Sequence, residues 1–375
     1  MHTISDPSAP GTLPSPESLA ALRRAFAEAR RPPARRHRDI ADELGISEGE
    51  LIAAHAGGVA PGDSPLRAQR LRPRWPSIVE ALETLGEVTA LTRNASCVHE
   101  KVGIYRGASV EGQVGLVLGG DIDLRVFYNV WAHGFAVEEH TPRGLQRSLQ
   151  FFDAEGTAIH KVFLRDGSDL AAYARLVDAV ACGSSDVAGL TPHAAAPRPA
   201  EKPDDEVDVA AFQADWSALR DTHEFFGMLR RHGLSRTQAL RLASPEFVQP
   251  ADPGAAQELL VRAAQQAVPI MVFVGNPGLI QIHSGPVRRV EQMGPWVNVL
   301  DPGFNLHLRE DHIAQAWLVR KPTVDGLVSS LEVFDAAGLT VAMFFGERKP
   351  GQAERCDWRD LLAGVANEAG AGCAA

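Results

Sequence analysis

Ser148-Leu149-Gln150-Phe151-Phe152-Asp153-Ala154-Glu155-Gly156 returns 182 residues later as Ser330-Leu331-Glu332-Val333-Phe334-Asp335-Ala336-Ala337-Gly338. Worked outward from this run, residues 94–156 align with 276–338 without a gap. Asn94 meets Asn276, Gly103 meets Gly285, and Gly112 meets Gly294. The two stretches agree at 18 of 63 positions, where average residue frequencies give roughly four by chance. The chain therefore reads as a tandem duplication. Copies of one domain share scaffold residues, so chemistry is expected where they differ.

Within each copy, short runs rich in Val, Leu and Phe are punctuated by Gly, Asn and Asp. Residues 87–93, 114–118, 123–127, 135–139 and 149–152 read as strands, with counterparts in the second copy. Their spacing near ten residues predicts antiparallel meanders rather than βαβ units. Helical patterns precede and follow each strand block. Asp39 to Leu51 and Met228 to Leu240 both read helix, Gly stop, Ser N-cap, helix. The expected fold is α+β, a tandem structural repeat in which each half is an antiparallel β-sheet flanked by helices. The expected boundaries are 17–182 for the N-terminal repeat, 183–208 for a Pro/Ala/Ser-rich linker, and 209–365 for the C-terminal repeat. Residues 1–16 and 366–375 have the composition of disordered ends.

The 375 residues carry a net charge of −10, which argues against a nucleic-acid partner. The acidic first helix–Gly–Ser–helix unit would likewise repel phosphate, so a DNA-reading helix-turn-helix is not expected. Among the 37 basic residues 32 are Arg, whose planar fork suits carboxylates. The four cysteines, Cys97, Cys182, Cys356 and Cys373, form no CxxC and suit a reducing cytoplasm. Residues 1–16 lack the apolar core of a signal peptide. No apolar run approaches 18 residues, so a membrane-embedded protein is not expected.

His99-Glu100 and His223-Glu224 both open HExxG, without the second histidine of a zinc-protease motif. GxSxG, Walker A and GxGxxG are also missing. The repeat comparison is more selective. Arg125 aligns with His307, Lys101 with His283, and His99 with Gln281. Polar residues at inward strand positions need partners or a ligand. His223 opens a helix behind Asp221 and Thr222, either of which can cap it, and precedes Phe225 and Phe226. An imidazole beside flat apolar walls and several arginines suits haem, an apolar disc with two carboxylates. A capped amphipathic helix with a partly buried histidine satisfies the same pattern.

Several stretches together resemble the bacterial HemS/ChuS/HmuS family of haem-utilisation proteins, the hemin-degrading factors. They are Arg93-Asn94 with Val98-His99-Glu100-Lys101-Val102-Gly103, Asp121-Ile122-Asp123-Leu124-Arg125, and Asp221-Thr222-His223-Glu224-Phe225-Phe226. Ser148 to Asp153, Ile270 to Asn276, Gln281 to Gly285, Arg320-Lys321-Pro322-Thr323 and Asp325-Gly326 complete them. The resemblance runs from about residue 35 to 360. It implies two α+β repeats with haem in a cleft formed mainly by the second. It implies His223 as the axial iron ligand and Arg125 as the catalytic residue, reaching from the first repeat to the opposite haem face. Arg236, Lys321 and Arg348 match basic pocket residues near the propionates, and Phe273 matches an apolar wall. Phe345 stands where some members carry a tyrosine. Glu224 and Phe225 stand where some carry extra histidines. The implied function is cytoplasmic haem binding and degradation to release iron. The alternative is a non-catalytic carrier delivering haem to a partner enzyme. The implied partners are haem, an inner-membrane haem importer, and an external electron donor or a downstream haem oxygenase.

Overall fold

The computed structural model of the chain describes residues 14–30, 35–57, 64–183, 189–194, 197–349 and 351–371. Cys373, most of the expected disordered ends, and residues 184–188 and 195–196 of the expected linker lie outside these. Residues 14–16 and 366–371 are described, and the latter belong to a helix rather than a disordered tail.

Two antiparallel nine-stranded sheets form the frame. The first runs in the order β1 (Leu66–Arg70), β7 (His133–Thr141), β8 (Gly144–Phe152), β9 (Ala158–Leu164), β2 (Val88–Arg93), β3 (Cys97–Gly103), β15 (Phe304–Arg309), β14 (Trp296–Asp301), β13 (Val290–Met293). The second runs β10 (Val248–Ala251), β16 (Gln315–Thr323), β17 (Gly326–Phe334), β18 (Thr340–Gly346), β11 (Ile270–Asn276), β12 (Leu279–Gly285), β6 (Asp123–Phe127), β5 (Val114–Leu118), β4 (Ala108–Glu111). The duplicated α+β architecture is as the sequence implies. Each sheet, however, takes six strands from one repeat and three from the other. The first repeat sends β4, β5 and β6 to pair with β12, and the second sends β13, β14 and β15 to pair with β3.

Burial explains how exchanged strands remain part of their own repeat. Val117, Ile122, Leu124 and Val126 point into the first repeat's core with Ile78, Leu82, Phe151 and Leu176. Val297, Val299, Leu306 and Leu308 likewise join Leu259, Val272, Phe344 and Trp358 of the second. The strands thus hydrogen-bond to one repeat while their apolar faces stay in the other. Two asparagines related by the repeat seal the crossing. Asn94 Nδ2 donates to the carbonyls of Gly275 and Val341 at 3.2 and 2.8 Å, and Asn276 Nδ2 to those of Arg93 and Ile159 at 3.0 and 2.8 Å.

Ten helices flank the sheets among the described residues: α1 (Pro16–Ala29), α2 (His37–Leu44), α3 (Glu48–Ala53), α4 (Trp75–Ala81), α5 (Leu170–Val180), α6 (Val209–Ser217), α7 (Glu224–His232), α8 (Arg236–Leu242), α9 (Ala255–Gln266) and α10 (Cys356–Ala371). The α2–α3 and α7–α8 units end and restart as their sequence dictates. Gly45 and Gly233 take φ of 69° and 63° at the first helix ends, a conformation that penalises a Cβ. Ser47 and Ser235 then cap the next helix by accepting the N–H of Glu50 and Gln238. Among the described residues no helix is long and apolar enough to cross a membrane.

Candidate functional site

Cα partners in antiparallel strands share a face of the sheet, and the registers collect the sequence-selected residues on one face of the second sheet. Lys321 (β16) pairs with Val328 (β17), and Glu332 (β17) pairs with Met343 (β18). Met343 pairs with Phe273 (β11), Phe273 with Ile282 (β12), and Ile282 with Asp123 (β6). Arg125 stands two residues along β6 and pairs with Ile280. From β17 to β6 is four strand spacings, roughly 19 Å. The strand exchange is what brings Arg125, a first-repeat residue, to this face. Its repeat counterpart His307 lies in the other sheet, where its Nδ1 is 2.7 Å from Asn298 Oδ1.

At one end, α7 and α8 cover the face. Phe225 lies over two cations, 4.4 Å from its ring centroid to Lys321 Nζ and 5.2 Å to the Arg236 guanidinium. Both cations bind one carboxylate. Glu332 is fully buried and accepts Arg236 Nε and Nη2 at 2.7 and 2.9 Å and Lys321 Nζ at 2.8 Å. Burial pushes the Glu332 carboxyl up, but Arg236 and Lys321 outweigh it and hold it well below the usual carboxylate range. Burial draws the Lys321 ammonium down, with Glu332 opposing. Lys321 is 4 % exposed, so its charge is met inside the protein, whereas Arg236 keeps 24 % of its side chain open. Arg236 Nη2 also lies 3.1 Å from Met343 Sδ.

The middle of the face is an apolar strip that, among the described residues, no helix fully covers. Met271, Phe273, Ile280, Met343 and Phe345 are each only half-buried. Phe273 and Phe345 rings meet at 4.9 Å between centroids, so Phe345 adds to the wall a surface with no hydroxyl. At the far end Arg125, 31 % exposed, forms an ion pair with Asp123.

His223 is the N-cap of α7, one position before the first turn, and its side chain is 88 % exposed rather than partly buried. Asp221 Oδ1 lies 2.6 Å from His223 Nδ1 and accepts the His223 N–H at 2.8 Å. Those backbone and side-chain hydrogen bonds, with a contribution from Arg348, hold the Asp221 carboxyl below its ordinary value against a smaller opposing effect of burial. Glu224 reaches back to the N–H groups of Arg220 and Asp221 at 2.9 and 3.3 Å. The Val324 N–H donates to the Arg220 carbonyl at 2.9 Å, tying this loop to the β16–β17 turn. Arg348 is 3.4 Å from Asp325 of the same turn.

The structure thus joins Phe225, Arg236, Lys321, Phe273 and Phe345 through direct contacts or shared register, and puts Arg125 on their face. His223 stands at the start of the helix that covers it. The sequence points less directly to two further partners. Glu332 stands in the repeated run, and its pairing with Gln150 marks a charge gained at an inward position. Asp221 reads from sequence only as a cap. His99, His283 and Lys101 lie elsewhere, between the sheets. Gln281 Nε2 is 2.9 Å from His99 Nδ1 and Lys101 Nζ is 2.9 Å from His283 Nδ1, while His283 stacks on Phe304 at 3.8 Å. Burial holds His283 down to about 3. A cavity of about 610 Å³ sits apart from all of these, between α5 and strands β1 and β7. Its lining mixes opposed charges (Arg67, Arg147, Glu138, Asp178), which suits it poorly to an apolar disc.

The family described as "Haemin-degrading HemS.ChuX domain" matches twice, at residues 45–180 and 233–365. The chain belongs to that family. One match falls within each copy of the duplication, and each begins at the glycine of its helix–Gly–Ser–helix unit. The chain is 37% identical over 337 residues to the hemin transport protein HmuS of Yersinia pestis, spanning 90% of this chain and 94% of that one. The crystal structure of holo-PhuS, a heme-binding protein from Pseudomonas aeruginosa, superimposes with a TM-score of 0.88 at 47% identity, covering 93% of this chain and 99% of that one. ChuS, an E. coli heme oxygenase, gives 0.80 at 35% identity, covering 92% and 99%.

Proposed function

We propose that this chain binds haem over the open strip of the second sheet and degrades it to release iron. In this reading it works in the cytoplasm, receiving haem from an inner-membrane importer. The observation that carries the reading is His223. Its Nδ1 is engaged by Asp221, which leaves Nε2 open on an 88 % exposed ring at the start of the helix that covers one end of the apolar strip. Membership of the haemin-degrading family, and relatives named for haem transport, binding and oxygenation, support it.

His223 is then the axial iron ligand, and Phe273 with Phe345 forms the apolar wall. Arg236 and Arg348 would meet the propionates. Lys321 acts through Glu332, keeping that carboxylate and hence Arg236 in place. Arg125, on the opposite side of the strip, is the catalytic residue. A fixed cation there stabilises negative charge as it develops. Bound haem supplies the redox chemistry, and an external donor supplies the electrons.

A specific observation favours a second reading, that of a carrier which hands haem to a downstream haem oxygenase. Arg125 is tied to Asp123, and a cation already paired is a weaker donor to a developing charge. The experiment is an anaerobic haem titration followed by reductant and oxygen in the presence of catalase. Loss of the Soret band with a new linear tetrapyrrole in the mass spectrum supports degradation. A persistent Soret band supports the carrier. No haem-specific spectrum at all would reject both.

A further inference from the structure

We infer that Asp221 is a positioning residue for His223, fixing which ring nitrogen faces iron and how firmly it binds. The inference rests on the reading of His223 as the haem ligand. A neutral imidazole exists as two tautomers, and a ring as open as His223 is held by little besides its hydrogen bonds. Here one carboxylate oxygen, Asp221 Oδ1, receives both the His223 N–H and the Nδ1–H, at 2.8 and 2.6 Å. That geometry puts the proton on Nδ1 and leaves the Nε2 lone pair free. A carboxylate behind a ligating imidazole also raises its basicity.

The carboxylate is itself anchored. Glu224 accepts the N–H groups of Arg220 and Asp221, and Arg220 accepts from Val324. The ring is therefore referenced, through one oxygen and a short loop, to the β16–β17 hairpin that also carries Lys321 and Glu332.

The test compares full-length wild type, Asp221→Ala, Asp221→Asn and His223→Ala loaded with haemin. Asn keeps an oxygen where the His223 N–H holds it, so it preserves the tautomer and removes only the charge. Expected for Asp221→Ala is a roughly 10- to 100-fold loss of haem affinity with mixed axial ligation in the spectra. Expected for Asp221→Asn is a near-normal ferric spectrum, a lower iron–histidine stretching frequency in the ferrous form, and a higher reduction potential. Should Ala disturb the loop itself, the Asn variant still decides the matter through frequency and potential. Wild-type affinity, frequency and potential in both Asp221 variants, with the histidine signature lost in His223→Ala, overturn the inference alone. An unchanged signature in His223→Ala overturns the ligand reading beneath it.

Discussion

Replacing Glu332 with glutamine tests whether the site rests on a buried charge cluster. The carboxylate is fully buried and receives three charge-assisted bonds, two from Arg236 and one from Lys321, at 2.7 to 2.9 Å. Ser330 Oγ adds a fourth at 3.2 Å. Glutamine fits the space but presents an NH2 group to a shell of donors and cancels no charge. Lys321, 4 % exposed, then keeps an ammonium with no counter-ion beneath the Phe225 ring. Breaking one side of a buried ion pair costs about 3–5 kcal/mol. The Phe225 face lies against Lys321 before and after the change and so offsets none of it, and the expected loss is about 3–5 kcal/mol. Arg236 is partly open and can turn to water, so most of the penalty should belong to Lys321. The double variant Glu332→Gln/Lys321→Met should therefore recover part of the loss. Urea unfolding followed by tryptophan fluorescence measures both. A loss below about 0.5 kcal/mol, or full additivity in the double variant, would refute the reasoning.

Acid should weaken the fold in two stages. Burial holds His55 to about 4 and His160 and His283 to about 3 in the folded chain. Unfolding frees them to protonate near 6.5, so their contribution is complete above that value and is lost as pH falls toward 4 and 3, by up to about 1.4 kcal/mol per pH unit for each. Glu48 and Glu332 are depressed carboxyls, and their contribution is lost only below the ordinary carboxylate range. Equal urea midpoints at pH 7 and pH 5 would contradict the first stage. Gln281→Leu should cost about 1–3 kcal/mol for each buried partner left unpaired among Thr92, His99 and the Ala90 carbonyl, read as a lowered melting temperature with the sheets still formed by circular dichroism. Gly156→Ala should destabilise through two independent effects, a φ of 79° and a Cβ 2.2 Å from Ser47 Oγ. Because the Gly156 carbonyl also receives the Gly49 N–H at 2.8 Å, faster amide exchange at Gly49 is the local readout.

Much of this protein is written locally. The Val88–Arg93 alternation, the Gly45 and Gly233 helix stops and the Ser47 and Ser235 caps depend on residues within a few positions of one another. Their periods and turn chemistry can therefore be read from the chain. The duplication is legible for the same reason, since both copies keep the same local solution. The comparison of copies also singled out Arg125 against His307, and the helix opening at His223 marked that histidine. What the chain alone did not disclose is that β6 pairs with β12 rather than with β3. The two copies carry equivalent strands, so either edge offers the same alternation and the same backbone donors. The choice between them is made across some 155 residues by the packed cores and by Asn94 and Asn276, which seal the crossing. That choice brings Arg125 onto the second repeat's face. The Glu332 cluster was equally beyond sequence. It joins a helix to two strands, and such partners are set by tertiary distance, which no local period encodes. The Asp221–His223 bond spans only two residues, and what the chain withheld there is where a solvent-facing ring comes to rest.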